Sequence, residues 1–126
     1  MGARVLVVDD DPVIQTLLKD YLGSCGFAVE VRSGGNECLE YLSQQMPDVL
    51  ILDMVMPDMT GVEVLKKIRE GGTIKGVPVI LLSAEQTLAL ESDPTKPQAD
   101  RYLQKPFEMR KIKEAIEALV AKGPRP

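Results

Sequence analysis

The sequence contains no histidine and no tryptophan, and the first absence excludes several kinds of chemistry. Without an imidazole there is no histidine-based catalytic triad, no general base that titrates near neutrality and no zinc site built on histidine. Any reaction carried out by these residues would therefore use carboxylates, hydroxyls or lysine amines.

Cysteine and long apolar runs are also scarce. Cys25 and Cys38 form no CxxC pair and are too few for a disulfide framework, so we expect reduced structural thiols. The longest apolar stretches, such as Val5–Val8 and Val49–Leu52, have four residues each, whereas a bilayer span needs roughly 20. Residues 1–4 show no apolar segment of a secretory signal. We therefore expect a cytoplasmic protein without a membrane span.

A basic surface and a nucleotide-binding loop are missing as well. With 19 acidic and 15 basic residues the net charge is −4, so we expect no direct binding of nucleic acid. Neither GxGxxG nor GxxxxGK[ST] occurs. The 126 residues, 44% of them apolar, suit a single domain. We expect this domain to span residues 1–122, followed by a disordered tail or linker start at 123–126.

Short β-branched segments alternate along the chain with segments of helical periodicity. Asp11 and Pro12 predict the N-cap and the first residue of the first helix. The alternation predicts a doubly wound α/β fold with a parallel sheet and helices on both faces. Five predicted strands, mostly apolar on both faces, are Val5–Val8, Ala28–Val31, Val49–Leu52, Val79–Leu82 and Arg101–Gln104.

Polar residues stand at the carboxyl ends of four predicted strands. Asp9 and Asp10 follow the first strand, and Asp53 follows the third. Ser83 follows the fourth strand and Lys105 the fifth. The carboxyl ends of parallel strands meet at one edge of a sheet, where open α/β sheets bind their ligands. We expect these five residues to converge there.

Each of these residues also has a structural interpretation. An aspartate can cap a helix, a serine can lie in a loop, and a lysine can carry a solvated surface charge. In combination, however, three carboxylates at one edge raise one another's pKa unless a cation lies among them. Carboxylates with carbonyls and waters suit Mg²⁺, which leaves room for phosphoryl oxygens. Lysine and serine would complete a phosphoryl-sized pocket.

Four segments, in chain order, resemble the receiver domain of bacterial two-component response regulators, and the resemblance spans essentially the whole chain. It implies a chemotaxis-regulator-like, flavodoxin-like sheet with strand order 2-1-3-4-5, and a signalling switch that is controlled by phosphorylation. The segments are Val-Val-Asp9-Asp10, Leu-Asp53-Met-Val-Met-Pro57-Asp-Met-Thr-Gly61, Leu-Leu-Ser83-Ala84 and Lys105-Pro106-Phe107.

The resemblance implies a role for each acidic position. Asp53 would be the phosphoacceptor and a metal ligand, and Asp10 would bind Mg²⁺ directly. Asp9 would bind the ion through water, and Val55 would offer its backbone carbonyl. Mn²⁺ would be able to substitute for Mg²⁺.

Further roles follow from the same resemblance. Ser83 would hydrogen-bond the phosphoryl group and Lys105 would pair with it. Ser83 and Tyr102 would form the switch, with the hydroxyl moving towards the phosphoryl group and the aromatic ring turning inward. A cis peptide between Lys105 and Pro106 would also be typical.

Partners are implied by the family alone. A sensor histidine kinase or a phosphotransfer protein would donate the phosphoryl group, and an effector domain or protein would receive the signal. A phosphorylation-dependent homodimer is a further expectation. The chain would catalyse its own phosphorylation and a slow autodephosphorylation without being a conventional turnover enzyme. Val55 and Glu85 flank the site and bear on the lifetime of the phosphorylated state.

One segment departs from the family pattern. Between Ser83 and Lys105 a fourth helix is usual, but Pro94 and Pro97 cannot both lie inside a helix. We expect this helix to be irregular, that is short, displaced or absent; alternatively, Asp93 caps a single stunted turn.

Three other interpretations fit less well. A haloacid-dehalogenase-like phosphatase requires a second aspartate where Val55 stands. A flavodoxin-like cofactor binder would place a phosphate beside Asp9, Asp10 and Asp11, which would repel it. A pseudo-receiver would keep the fold and bind partners without phosphorylation, although every matched acidic, hydroxyl and lysine position is present.

Overall fold

The computed structural model describes residues 2–83 and 98–124, which form a five-stranded parallel sheet and four helices. The strand order β2-β1-β3-β4-β5 confirms the predicted doubly wound fold. The strands are β1 (Arg4–Val8), β2 (Ala28–Arg32), β3 (Val49–Asp53), β4 (Val79–Ser83) and β5 (Arg101–Gln104). The helices are α1 (Pro12–Ser24), α2 (Gly35–Gln44), α3 (Gly61–Arg69) and α4 (Met109–Lys122), with a 3₁₀ turn at Gly72–Ile74.

The segment between Ser83 and Lys105, for which an irregular helix is predicted, consists mainly of residues 84–97, which lie outside the described residues, so this stays a prediction. Pro94, Pro97 and Glu85 fall in the same segment.

Side chains alternate between two cores, one on each face of the sheet. Every residue of β3 and β4 is buried, as is all of β1 except Arg4, so these central strands are covered on both sides. One face packs against α2 and α3 through Leu6, Val8, Leu50, Leu52, Leu81, Cys38, Leu42, Val64, Leu65 and Ile68. The other face packs against α1 and α4 through Val5, Val7, Val49, Ile51, Ile80, Leu82, Leu18, Leu22, Ile112, Ile116 and Leu119. The two-residue period of the strands places successive apolar side chains in opposite cores.

The helix starts follow the signals in the sequence. The Asp11 side chain accepts a hydrogen bond from the Val13 amide at 2.9 Å, and Pro12 is the first residue of α1, as predicted. At α3, Thr60 and Glu63 form a capping box. These caps set the directions in which α1 and α3 leave the carboxyl edge of the sheet.

The two cysteines are free thiols in different environments. Cys38 is buried and Cys25 is half-buried. Burial raises the pKa of the Cys38 thiol to about 12, as expected of an inert structural side chain. Among the described helices, none has both the length and the apolar character needed to cross a membrane.

Candidate functional site

A cleft of about 430 Å³ opens at the carboxyl edge of the sheet, between the ends of β1, β3, β4 and β5. All five strand-end residues singled out in the sequence line it. The complete lining is Asp9, Asp10, Asp11, Asp53, Met54, Val55, Ser83 and Lys105.

Three carboxylates form the floor of the cleft. One oxygen each of Asp9, Asp10 and Asp53 lies within 4.8 Å of the others. Asp9 and Asp53 are buried, at 1% and 5% exposure, whereas Asp10 is exposed. Asp11 differs from them, because its side chain caps α1. Three oxygen donors at this spacing, one facing solvent, suit a hard divalent cation that keeps part of its water shell.

Lys105 supplies positive charge to this floor. Its Nζ lies 2.9 Å from Oδ1 of Asp53 and 3.5 Å from Oδ2 of Asp9. Burial alone lowers the pKa of the Lys105 amine, but hydrogen bonding and the charges of both aspartates outweigh burial and raise it. The amine is therefore held in its charged form.

The pKa of Asp9 is raised above its ordinary value. The main cause is burial, to which the charge of Asp53 adds, while a hydrogen bond from the Asp11 amide at 2.9 Å and the charge of Lys105 act in the opposite direction. One lysine does not fully compensate the carboxylates. The floor accordingly favours the binding of a further cation.

Ser83 and Lys105 are joined through the backbone. Ser83 is buried at the end of β4, and its carbonyl accepts a hydrogen bond from the Lys105 amide at 2.7 Å. The peptide bond between Lys105 and Pro106 is cis. The ends of β4 and β5 thus present a hydroxyl and an amine to the same cleft.

The loop between β3 and α3, residues 54–60, forms one rim of the cleft. The Met54 amide donates to the Leu82 carbonyl at 2.8 Å, and the Gly61 amide donates to the Met54 carbonyl at 2.7 Å. A Cβ on Gly61 would lie 2.5 Å from the Asp53 carbonyl oxygen, so only glycine permits this close approach. Val55 lines the cleft and the residue is 72% exposed.

Tyr102 stands apart from the other predicted residues. It is half-buried on β5, packs against the core beside α2 and α3, and is absent from the cleft lining. Its hydroxyl accepts a hydrogen bond from the Ala99 amide at 3.1 Å and donates one to Oε1 of Gln98 at 3.3 Å. In this structure the ring is tethered to the segment that precedes β5.

Two residues near the site were missed in the sequence. Gln15 on α1 donates from Nε2 to the Asp9 carbonyl, and at 3.0 Å to Oγ of Ser33. Asp58 accepts hydrogen bonds from two backbone amides at the start of α2, which lie 22 and 23 positions earlier in the chain. No local pattern indicates contacts over such separations. The only signal was the Pro57-Asp58 pair, which is typical of a turn.

Comparison with known sequences places the chain in a family. A family model described as the response regulator receiver domain matches residues 5–117. The chain is 34% identical over 120 residues to the response regulator MprA of Mycobacterium tuberculosis, an alignment that covers 95% of this chain and 51% of MprA. The chain therefore spans about half the length of the curated relatives it matches.

Solved structures share the fold over nearly the whole chain. One is the response regulator TrrA of Thermotoga maritima in complex with Mg²⁺-BeF, with 36% identity, a TM-score of 0.81 and coverage of 94% of this chain and 99% of that one. Another is the receiver domain of sensor histidine kinase PA1611 from Pseudomonas aeruginosa, with a magnesium ion coordinated in its active site cleft. It has 25% identity, a TM-score of 0.86 and coverage of 96% and 99%.

Proposed function

The chain belongs to the response regulator receiver domain family, and we propose that Asp53 is its phosphoacceptor in a Mg²⁺-dependent, phosphorylation-controlled switch. One observation carries the proposal. Asp53 lies at the end of a buried central strand, 2.9 Å from the Lys105 amine and beside the carboxylates of Asp9 and Asp10. We take residues 1–122 as the unit that performs this function.

The donor set supports a magnesium site. Asp10 and Asp53 would bind the ion directly, Asp9 through water, and Val55 through its backbone carbonyl. The raised pKa of Asp9 and the spacing of the carboxylates support this assignment, as do the magnesium ions in the PA1611 and TrrA structures. When bound, Mg²⁺ would offset negative charge on the phosphoryl oxygens, and Mn²⁺ would be able to replace it.

The protein side chains would carry the phosphoryl transfer. The Asp53 carboxylate attacks phosphorus in line, forming an oxygen–phosphorus bond while the donor's phosphorus–nitrogen bond breaks and its electron pair stays on the donor nitrogen. Lys105, held in its charged form, pairs with the transferring oxygens. The Ser83 hydroxyl donates a hydrogen bond to the phosphoryl group.

The same phosphoryl group would bias the switch. Ser83 moves towards it, and Tyr102 leaves the Ala99 amide and Gln98 side chain to turn inward. Such a change needs only a few kcal/mol of differential stabilisation between two states. The surface around β5 and α4 is then altered for a downstream partner.

Membership of the family supports the partners and the location that we propose. We assign a phosphohistidine of a sensor histidine kinase or phosphotransfer protein as the donor, and an effector domain or protein as the recipient of the signal. This exchange would take place in the cytoplasm, and the phosphorylated form would be able to dimerise. These 126 residues contain no histidine, so the donor phosphohistidine would lie outside them.

Intact mass spectrometry tests the phosphoacceptor. The native chain is incubated with Mg²⁺ and acetyl phosphate, beside Asp53→Asn and the control Asp20→Asn, which changes an exposed acid on α1. We expect one added phosphoryl group in the native and control chains and none in Asp53→Asn. An unmodified native chain would overturn the proposal and favour a pseudo-receiver. Equal modification of Asp53→Asn would move the acceptor elsewhere.

A further inference from the structure

The rim loop, residues 54–60, is held at three points, and two of them are local. Its base is closed by the hydrogen bond between Gly61 and Met54, and its end by the Thr60–Glu63 capping box. Between these points Met56 is buried in the core, whereas Val55 is exposed at the cleft. The third contact lies at the tip of the loop, beyond Met56, and joins it to a distant part of the chain.

Asp58 provides that contact. Its Oδ1 accepts a hydrogen bond from the Gly35 amide at 3.0 Å, and its Oδ2 accepts one from the Asn36 amide at 2.8 Å. These are the first two residues of α2, and Gly34, the N-cap residue, has no side chain to satisfy them. Asp58 therefore caps α2 from another part of the chain.

The glycines of α2 complete the junction. A Cβ on Gly34 would lie 2.9 Å from Oδ1 of Asp58, and a Cβ on Gly35 would lie 2.2 Å from Cγ of Met59. The loop thus packs against the helix at a distance that only glycine permits. Hydrogen bonds from Asn36 and Gly35 lower the pKa of Asp58, so it stays ionised and able to accept both.

We propose that Asp58 is a positioning residue for the metal site: by capping α2 it anchors the tip of the rim loop and orients the Val55 carbonyl towards Asp9, Asp10 and Asp53. This role rests on the proposed function, because Val55 is the ligand that the loop would present. A carbonyl held in place before binding loses less conformational freedom when the cation arrives, so the anchored loop increases Mg²⁺ affinity.

The test measures Mg²⁺ binding to the unphosphorylated chain by isothermal titration calorimetry, and by ¹⁵N chemical shifts of the Val55, Gly35 and Asn36 amides. Loss of one cap contact corresponds to about a three- to tenfold change in an equilibrium constant. We expect the Kd for Mg²⁺ to rise by about that factor in Asp58→Ala. Asp58→Asn removes the charge but keeps one of the two capping oxygens, and we expect its Kd to rise less than that of Asp58→Ala.

Asp48→Ala is the matched control. Asp48 also accepts a long-range backbone hydrogen bond, from the Arg4 amide at 2.8 Å, but it lies near the opposite edge of the sheet. Its removal deletes the same charge and the same type of bond, so we expect the Kd for Mg²⁺ to stay within about twofold of native. Thermal unfolding without Mg²⁺ is recorded for every variant, so that a general loss of stability is seen separately from a loss of affinity.

The outcomes separate this role from the function on which it rests. Native affinity in Asp58→Ala would overturn the positioning role while leaving the metal site intact. Equal losses in Asp58→Asn and Asp58→Ala would also overturn it, because charge alone would then explain the effect. Absence of Mg²⁺ binding by the native chain, or binding unaffected by Asp53→Asn, would overturn the proposed metal site itself and this role with it.

Discussion

Asp9, Asp10 and Asp11 show how identical residues acquire different properties at one edge of a sheet. Asp11 caps a helix, Asp10 faces solvent, and Asp9 is buried with a raised pKa, although the three are consecutive in the chain. Lys105 lies closer to Asp53 than to Asp9. In the proposed reaction, the amine that now pairs with Asp53 would be in position to pair with an incoming phosphoryl oxygen.

A substitution of Val55 is the simplest way to change the lifetime of a phosphoryl group on Asp53. Val55 borders the cleft and the residue is 72% exposed, so a polar replacement disturbs no core packing. Val55→Asn adds a group that can hydrogen-bond an attacking water, and one such bond is equivalent to about a two- to tenfold change in rate. We expect dephosphorylation to accelerate by that factor, as followed by intact mass after removal of acetyl phosphate.

Val120→Asn is the control for this measurement. Val120 is an exposed valine on α4 that borders pockets away from the cleft. We expect Val120→Asn to leave the lifetime of the phosphorylated state unchanged. If Val55→Asn also leaves it unchanged, access of water past Val55 does not determine the rate of hydrolysis.

At the scale of elements, one arginine joins the end of α3 to the two segments that precede β4 and β5. Arg69, the last residue of α3, donates to the Lys75 and Val77 carbonyls ahead of β4, and to the Gln98 carbonyl ahead of β5. It also pairs with Asp100 at 3.0 Å, and the same Asp100 oxygen accepts from the Val79 amide. Tyr102 is tethered to the same segment, so Arg69 stabilises the strand that carries the proposed switch.

Arg69→Met should be strongly destabilising. The pair is largely buried, with side chains 13% and 8% exposed. Removing Arg69 takes away the positive charge beside a desolvated carboxylate and the side-chain donor to the Lys75 and Val77 carbonyls. We expect the free energy of unfolding to fall by about 2 to 4 kcal/mol, measured by urea denaturation.

The comparison for Arg69→Met is Arg110→Met on α4. Arg110 is 70% exposed and pairs only at 3.6 and 4.0 Å with Glu108 and Glu114, so its loss should change stability little. An equal loss in the free energy of unfolding in both variants would contradict the stabilising role of Arg69.

At the scale of the whole molecule, the charged groups of the cleft affect the free energy of unfolding of the domain. The carboxylates lie at the carboxyl ends of β1 and β3, the strands that contribute to both cores. Folding therefore carries the free-energy cost of burying Asp9. Its folded pKa is raised, so its stabilising contribution is present below its unfolded pKa and is lost as pH rises through its folded pKa. A bound cation would reverse that loss.

The stabilisation by Mg²⁺ should therefore increase with pH. Protons compete with the cation at Asp9, and a ligand at 100 times its Kd stabilises by about 2.7 kcal/mol. We expect the rise in Tm on adding Mg²⁺ to be larger at about pH 7.5 than at about pH 5. Differential scanning calorimetry at both pH values checks this, with KCl at matched ionic strength as the control. An equal rise at both values would contradict competition at Asp9.

The sequence alone was sufficient for the fold and for the gathering of the strand-end residues. Short continuous apolar runs identified β1, β3 and β4. Parallel strands bring their carboxyl ends to one edge of the sheet, independently of the loops that connect them. The positions of Asp9, Asp10, Asp53, Ser83 and Lys105 at the ends of these strands and of β5 were therefore enough to predict one shared cleft.

Tertiary structure decided the contacts that depend on distant partners. Asp58 meets α2 across 23 positions, and Arg69 meets Asp100 across 31, which no local periodicity encodes. The hydrogen bond between the Ala99 amide and the Tyr102 hydroxyl, which links the ring to the segment before β5, likewise depends on the tertiary structure. Sequence patterns report which face of an element is apolar, whereas hydrogen-bond partners depend on how loops and helix ends meet after packing.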